Sequence, residues 1–132
     1  MDCVTGRNTA PQTIGAMTVI ERTRQTARVR TARELLLDPK AVSLLVPVRD
    51  VICEPTRTQI VRALGPGPLS VTDLAAILNR SKSATSQHLR VLRDDGVVSA
   101  RRRGRAVFYS LVPNPLIDAT VNVLETAATT AA

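Results

Sequence analysis

Aromatic side chains are nearly missing from this chain: it has no tryptophan, and Phe108 and Tyr109 are its whole aromatic complement. Its core must therefore be aliphatic, and a nucleic-acid site made of several exposed stacking rings is ruled out. Cysteine is confined to Cys3 and Cys53, too few and too far apart for a disulfide scaffold. Histidine occurs once, at His88. With no paired-carboxylate motif, no phosphate-cradling glycine loop and no nucleophile motif, little is left for catalysis, and no enzyme is expected. No apolar run approaches the roughly 18 residues that span a bilayer. The opening MDCVTGRNTAPQTIGAM is polar and broken by glycine and proline, without the apolar centre of a signal peptide. The expectation is a cytoplasmic protein with no membrane partner.

Acidic residues are also scarce where they would matter most. The net charge of +7 is concentrated in residues 79–110, which hold eight Lys or Arg against two Asp; residues 35–78 balance, with four of each sign. So local a positive field attracts polyanions, nucleic acid first among them.

Residues 1–34 read as a basic flexible arm. ERTRQTARVRTAR has no sustained apolar face, which predicts disorder or a marginal helix with Arg22, Arg24, Arg28, Arg30 and Arg33 available to a phosphate backbone. A folded domain is expected over 35–127, and residues 128–132 as a frayed tail. Asp38-Pro39 has the form of a helix start, and KAVSLLVPVRDVI is apolar around most of its circumference, with Pro47 placed to kink or split it. Glu54-Pro55 opens a further helix that carries Ile60, Val61 and Leu64 on one side and stops at Gly65.

Ser70 and Ser81 are predicted N-caps of two short helices joined by Asn79-Arg80-Ser81, the sequence form of a helix-turn-helix. On the second helix Ala84, Leu89 and Leu92 are expected to point inward, with Val91 at the flank. Lys82, Ser83, Ser86, Gln87, Arg90 and Arg93 then fall on the other side. Every residue on that side is a hydrogen-bond donor, and the short ones come first, as entry into a DNA major groove requires. After Gly96, VVSARRR and AVFYSLV read as two strands joined at Gly104-Arg105. Arg101, Arg102, Arg103 and Arg105 cluster at the tip, where they can reach phosphates or a narrow minor groove. A last helix, LIDATVNVLETAA, is expected to carry a stripe of Leu116, Thr120, Val123, Leu124 and Ala127 suited to helix pairing.

The fold class that results is mainly α with a β-hairpin wing. Lys82, Ser83, Ser86, Gln87, Arg90, Arg102, Arg103 and Arg105 are the candidate DNA-binding residues, Ser83, Ser86 and Gln87 for bases and the cations for phosphates. A winged helix used only to bind protein is the alternative, but it predicts a hydrophobic or mixed-charge face where this row stands.

EPTRTQIVRAL, LSVTDLAAIL, SATSQHLRVLRDDGVV and RRRGRAVFYSL together resemble the ArsR/SmtB family of bacterial winged-helix repressors, over about Val42 to Leu124. The resemblance implies a homodimer joined through its first and last helices, bound to double-stranded DNA at a palindromic operator and released by a signal. The family's thiolate metal site lies in ELCVCDL; PLSVTDL stands here, with Ser70 and Thr72 at the two cysteine positions, and hydroxyls are poor ligands for soft metals. A second family site uses Asp and His on the last helix, where only Asp118 is available, with Glu125 seven residues on. No metal or other cofactor is expected. The remaining candidate sensors are the thiols of Cys53 and Cys3, which would make a redox-sensing repressor, or a small molecule in the dimer seam.

Overall fold

The structure, a computed structural model, describes residues 17–132. It divides into two units, residues 1–38 and Pro39–Ala132.

In the first unit the described part is an α-helix, α1 (Val19–Glu34), in the segment for which the sequence predicts disorder or a marginal helix. Local chemistry accounts for the helix. Thr18 Oγ1 accepts from the Glu21 N–H at 3.1 Å and Glu21 returns a bond to the Thr18 N–H at 2.7 Å, closing a capping box. Arg, Ala and Gln, all good helix formers, fill much of the remainder. The missing apolar face is real: α1 buries no residue.

The second unit begins with α2 (Pro39–Ser43) and α3 (Val46–Ile52), so Pro47 splits the apolar segment and sits in the first turn of its second half. Proline has no N–H for the carbonyl four residues back, and its ring crowds that carbonyl. Then follow α4 (Pro55–Ala63), β1 (Leu69–Ser70), α5 (Val71–Leu78), α6 (Lys82–Asp94), β2 (Val98–Arg103), β3 (Ala106–Leu111) and α7 (Pro115–Ala131). The sheet is antiparallel, in the order β1-β3-β2. Strand β1 has only two residues and no alternating pattern; it exists because Leu69 and Ser70 pair with Tyr109 and Phe108.

The core is aliphatic as expected. Val51, Ile60, Val61, Leu64, Leu74, Leu89, Leu92, Val97, Val98, Ile117 and Leu124 form one buried cluster, and Tyr109 packs at its edge. Each such side chain contributes roughly 1.5–3 kcal/mol through its burial.

Two expected faces hold in part. On α6 the buried residues are Thr85, Leu89 and Leu92, while Ala84 is half-buried. Thr85 tolerates full burial because its hydroxyl donates to the Ser81 carbonyl at 2.9 Å. On α7 the buried line is Ile117, Thr120 and Leu124; Thr120 and Leu124 belong to the predicted stripe, whereas Leu116 is half-buried and Val123 and Ala127 are exposed. Helical spacing puts 117, 120 and 124 on one line and 116, 123 and 127 on its neighbour. The helix also continues to Ala131 through the end predicted to fray. There Thr126, Thr129 and Thr130 donate back to the carbonyls four residues earlier.

Candidate nucleic-acid interface

Helix α6 starts and stops where its own sequence dictates. Ser81 caps it, its Oγ accepting from the Ala84 N–H at 3.0 Å. At the far end Gly96, at φ 75°, lets the Val97 N–H return to the Leu92 carbonyl at 2.8 Å and its own N–H to that of Arg93 at 3.0 Å. This is a Schellman closure, which a residue with a Cβ enters only under strain. Asn79, at φ 52° and ψ 47°, closes α5 in the same manner. The turn between the two helices is thereby fixed at both ends.

Three further contacts hold α6 and its neighbours in place. His88 Nδ1 lies 3.7 Å from Glu54 Oε2, an ion pair when the imidazole is protonated. Glu54 Oε2 also caps α4, accepting from the Arg57 N–H at 2.8 Å. Burial works to raise the Glu54 pKa, but the bond from Arg57 and the charges of His88 and Arg57 outweigh it and leave it below the usual value. Arg57 Nε in turn donates to the Asp50 carbonyl at 2.7 Å, which ties α3 to α4. So His88 stands as a structural residue between α6 and α4.

With Leu89 and Leu92 buried, the opposite side of α6 is presented to solvent. Lys82, Ser83, Ser86, Gln87, Arg90 and Arg93 are all exposed. None of them is paired with a carboxylate among the described residues.

The hairpin β2–β3 supplies the second set of cations. Arg103 pairs with Ala106 across the loop Gly104-Arg105, and Gly104 has φ 61°. Glycine as the first residue of a two-residue loop matches the twist of the flanking strands. Arg101, Arg102, Arg103 and Arg105 are exposed, as predicted for a wing tip. Strand alternation separates them: Arg101 and Arg103 share a face with Phe108, whereas Arg102 pairs with Val107 on the other. The Arg103 guanidinium lies 5.9 Å from the centre of the Phe108 ring, which steadies it by a cation–π contact. Arg101, directly opposite Phe108, belongs with the candidate residues; alternation along RRRGRAVF is the signal for it.

Of the two sensor candidates the described residues hold one. Cys53 is exposed and unpaired, and Cys3 lies outside the described residues. Ser70 is committed as the cap of α5, its Oγ accepting from the Asp73 N–H at 3.1 Å, and Thr72 is exposed. Among the described residues no three His, Cys, Asp or Glu side chains gather as metal ligands would. Nor is any described helix long and apolar enough to cross a membrane.

A capped helix-turn-helix followed by a cationic hairpin has counterparts among known proteins. Residues 54–100 match the model of the bacterial regulatory protein, arsR family. The Transcriptional repressor SdpR of Bacillus subtilis is 37% identical over 67 residues, covering 51% of this chain and 74% of that protein. The chain belongs to the ArsR family. It is a winged helix-turn-helix member of a family of transcriptional regulators, not of enzymes. The HTH-type transcriptional regulator NmtR of Mycobacterium tuberculosis is 41% identical over 75 residues, 57% of this ArsR-family chain. The match spans 62% of NmtR, less than two thirds of that relative. The solved structure of HlyU from Vibrio cholerae superposes with a TM-score of 0.63 at 33% identity, covering 68% of this chain and 97% of that one.

Proposed function

We propose that this ArsR-family chain is a homodimeric, sequence-specific DNA-binding regulator that represses transcription from a palindromic operator until an unidentified signal releases it. One observation carries the reading: the donor row Lys82, Ser83, Ser86, Gln87, Arg90 stands exposed on a helix whose other side is locked into the core. Short donors in the first turns suit base edges, and Gln87 suits the paired donor and acceptor of adenine. Arg90 and the wing residues Arg102, Arg103 and Arg105 suit phosphates. The dimer reading is supported by Val42, Leu44, Leu45, Ile52 and Val123, apolar residues left exposed on α2, α3, α7 and the turn after α2. A two-fold dimer presents two copies of α6, which a palindrome matches.

The experiment is a selection of bound duplexes from a random pool, followed by sedimentation of the complex. Enrichment of an inverted repeat bound by two chains is the expected result. A pool that stays random would refute specific reading.

A further inference from the structure

The function just proposed leaves α1 unused. Its 16 residues include Arg22, Arg24, Arg28, Arg30 and Arg33 against Glu21 and Glu34, and every one of them is exposed. Among the described residues none of these arginines has a carboxylate partner. Arg24 and Arg28, one turn apart, repel each other. A short helix that buries nothing and repels itself is stabilised by whatever neutralises it.

The placement of the charges narrows what that is. At about 100° per residue, Arg24 and Arg28 lie on one flank and Arg22, Arg30 and Arg33 on the opposite flank. Between the flanks, on one side, lie the small residues Thr23, Ala27 and Thr31, with Ile20 on the same face at the first turn and Glu34 at the last. A membrane surface would call for a continuous apolar face, and α1 has none. A flat acidic protein surface would engage one flank only. Two cationic flanks bordering a row of small side chains fit a groove with anionic walls on both sides, which is the shape of duplex DNA: its major groove admits one helix, and its walls are phosphates.

We propose that α1 is a second DNA-binding element, a helix that lies along a groove of the duplex with Arg24 and Arg28 on one phosphate wall and Arg22, Arg30 and Arg33 on the other. This rests on the DNA-binding function proposed above and adds a partner surface outside the winged helix. The contacts are to phosphates, so α1 supplies affinity and salt dependence with little sequence preference.

The test uses the full chain and two variants, Arg24→Gln/Arg28→Gln/Arg30→Gln/Arg33→Gln and the same four positions changed to Lys. Glutamine and lysine are both good helix formers and all four positions are exposed, so the helix is expected to survive both sets of changes. Affinity for the selected operator is measured from low to high salt. The Gln variant is expected to have a slope of log affinity on log salt shallower by roughly 2 or more, since each neutralised phosphate accounts for about 0.9. The Lys variant is expected to keep most of the original slope, and ethylation interference is expected to lose phosphates in the Gln variant that the parent protein requires. An unchanged slope in the Gln variant, with the parent protein bound tightly, would overturn the assignment of α1 and leave the winged-helix reading standing. A parent protein that binds no duplex would overturn both.

Discussion

The carboxyl groups of Asp50, on α3, and Asp95, at the C-cap of α6, influence each other's titration: each shifts the other's hold on its proton. Asp95 Oδ2 is buried with no hydrogen-bond partner among the described residues, which disfavours the charged carboxylate. Burial beside the cavity of about 250 Å³ lined by Pro47, Val48, Val51, Val97 and Ile117 raises the Asp95 pKa to about 6, and Asp50 pushes in the same direction. Asp50 goes the other way, its carboxylate favoured by Asp95 and by Arg49, whose Nη2 is 3.0 Å away.

A pH dependence follows from that pair. Asp95 has a folded-state pKa above its ordinary 3.8, so its contribution to stability is whole below pH 3.8 and is lost as pH rises through about 6. Asp95→Asn keeps the shape of the side chain without the charge. Its Tm relative to the parent protein is expected to rise between pH 4 and pH 7 and then level off. A difference that stays flat across this range would show that the Asp95 pKa is not raised in the folded protein.

The two classes of proposed DNA contact separate by variant. Gln87→Ala is expected to relax the preference at one base position by roughly 1–3 kcal/mol and leave the others alone. Arg103→Ala is expected to weaken every sequence alike and to flatten the salt dependence by about 0.9 for each phosphate left without its cation. Affinities across a panel of single-base operator variants at two salt concentrations give both answers.

Glu54 does two jobs, capping α4 and facing His88. Glu54→Ala is expected to cost about 0.5–2 kcal/mol as a lost cap. Glu54→Gln keeps an acceptor for the Arg57 N–H but no charge for His88. Its deficit should therefore be smaller than that of Glu54→Ala, which denaturant titrations of the two variants compare.

Leu89 is fully buried directly beneath the exposed donor row of α6. Leu89→Ala is expected to lose roughly 2–5 kcal/mol of stability to denaturant through reduced burial and the cavity left behind. DNA binding should weaken in the same variant, because the row is displayed only while that face is anchored. Full affinity in a protein destabilised this far would detach recognition from the fold as described.

Elements whose signals are local are legible in the sequence. The caps Ser70, Ser81 and Glu54, the break at Pro47, the closure at Gly96 and the turn at Gly104 each follow from one residue's chemistry, and the structure has them all. The outward row of α6 is equally legible, because its amphipathic pattern is strong. What is not legible depends on partners distant in the chain. Strand β1 exists only through β3, and Asp50 meets Asp95 across 45 residues of sequence. Thr85 gives no sign of burial in the sequence, because the bond to its own helix is what permits it. On α7 neighbouring lines of apolar residues compete for the core, and periodicity alone does not choose between them. Helix α1 has no apolar pattern to announce it; its capping box is the local cue that composition masks.

The most direct test of the central claim is the affinity of the full chain for DNA from upstream of its own reading frame, by fluorescence anisotropy, against a scrambled duplex of the same length and composition. The account predicts tight binding to the first, preferred by about a thousandfold or more at moderate salt, and loss of that preference when Ser83, Ser86 and Gln87 are replaced by alanine. Equal affinity for the two duplexes, or a preference that survives the triple replacement, would contradict it.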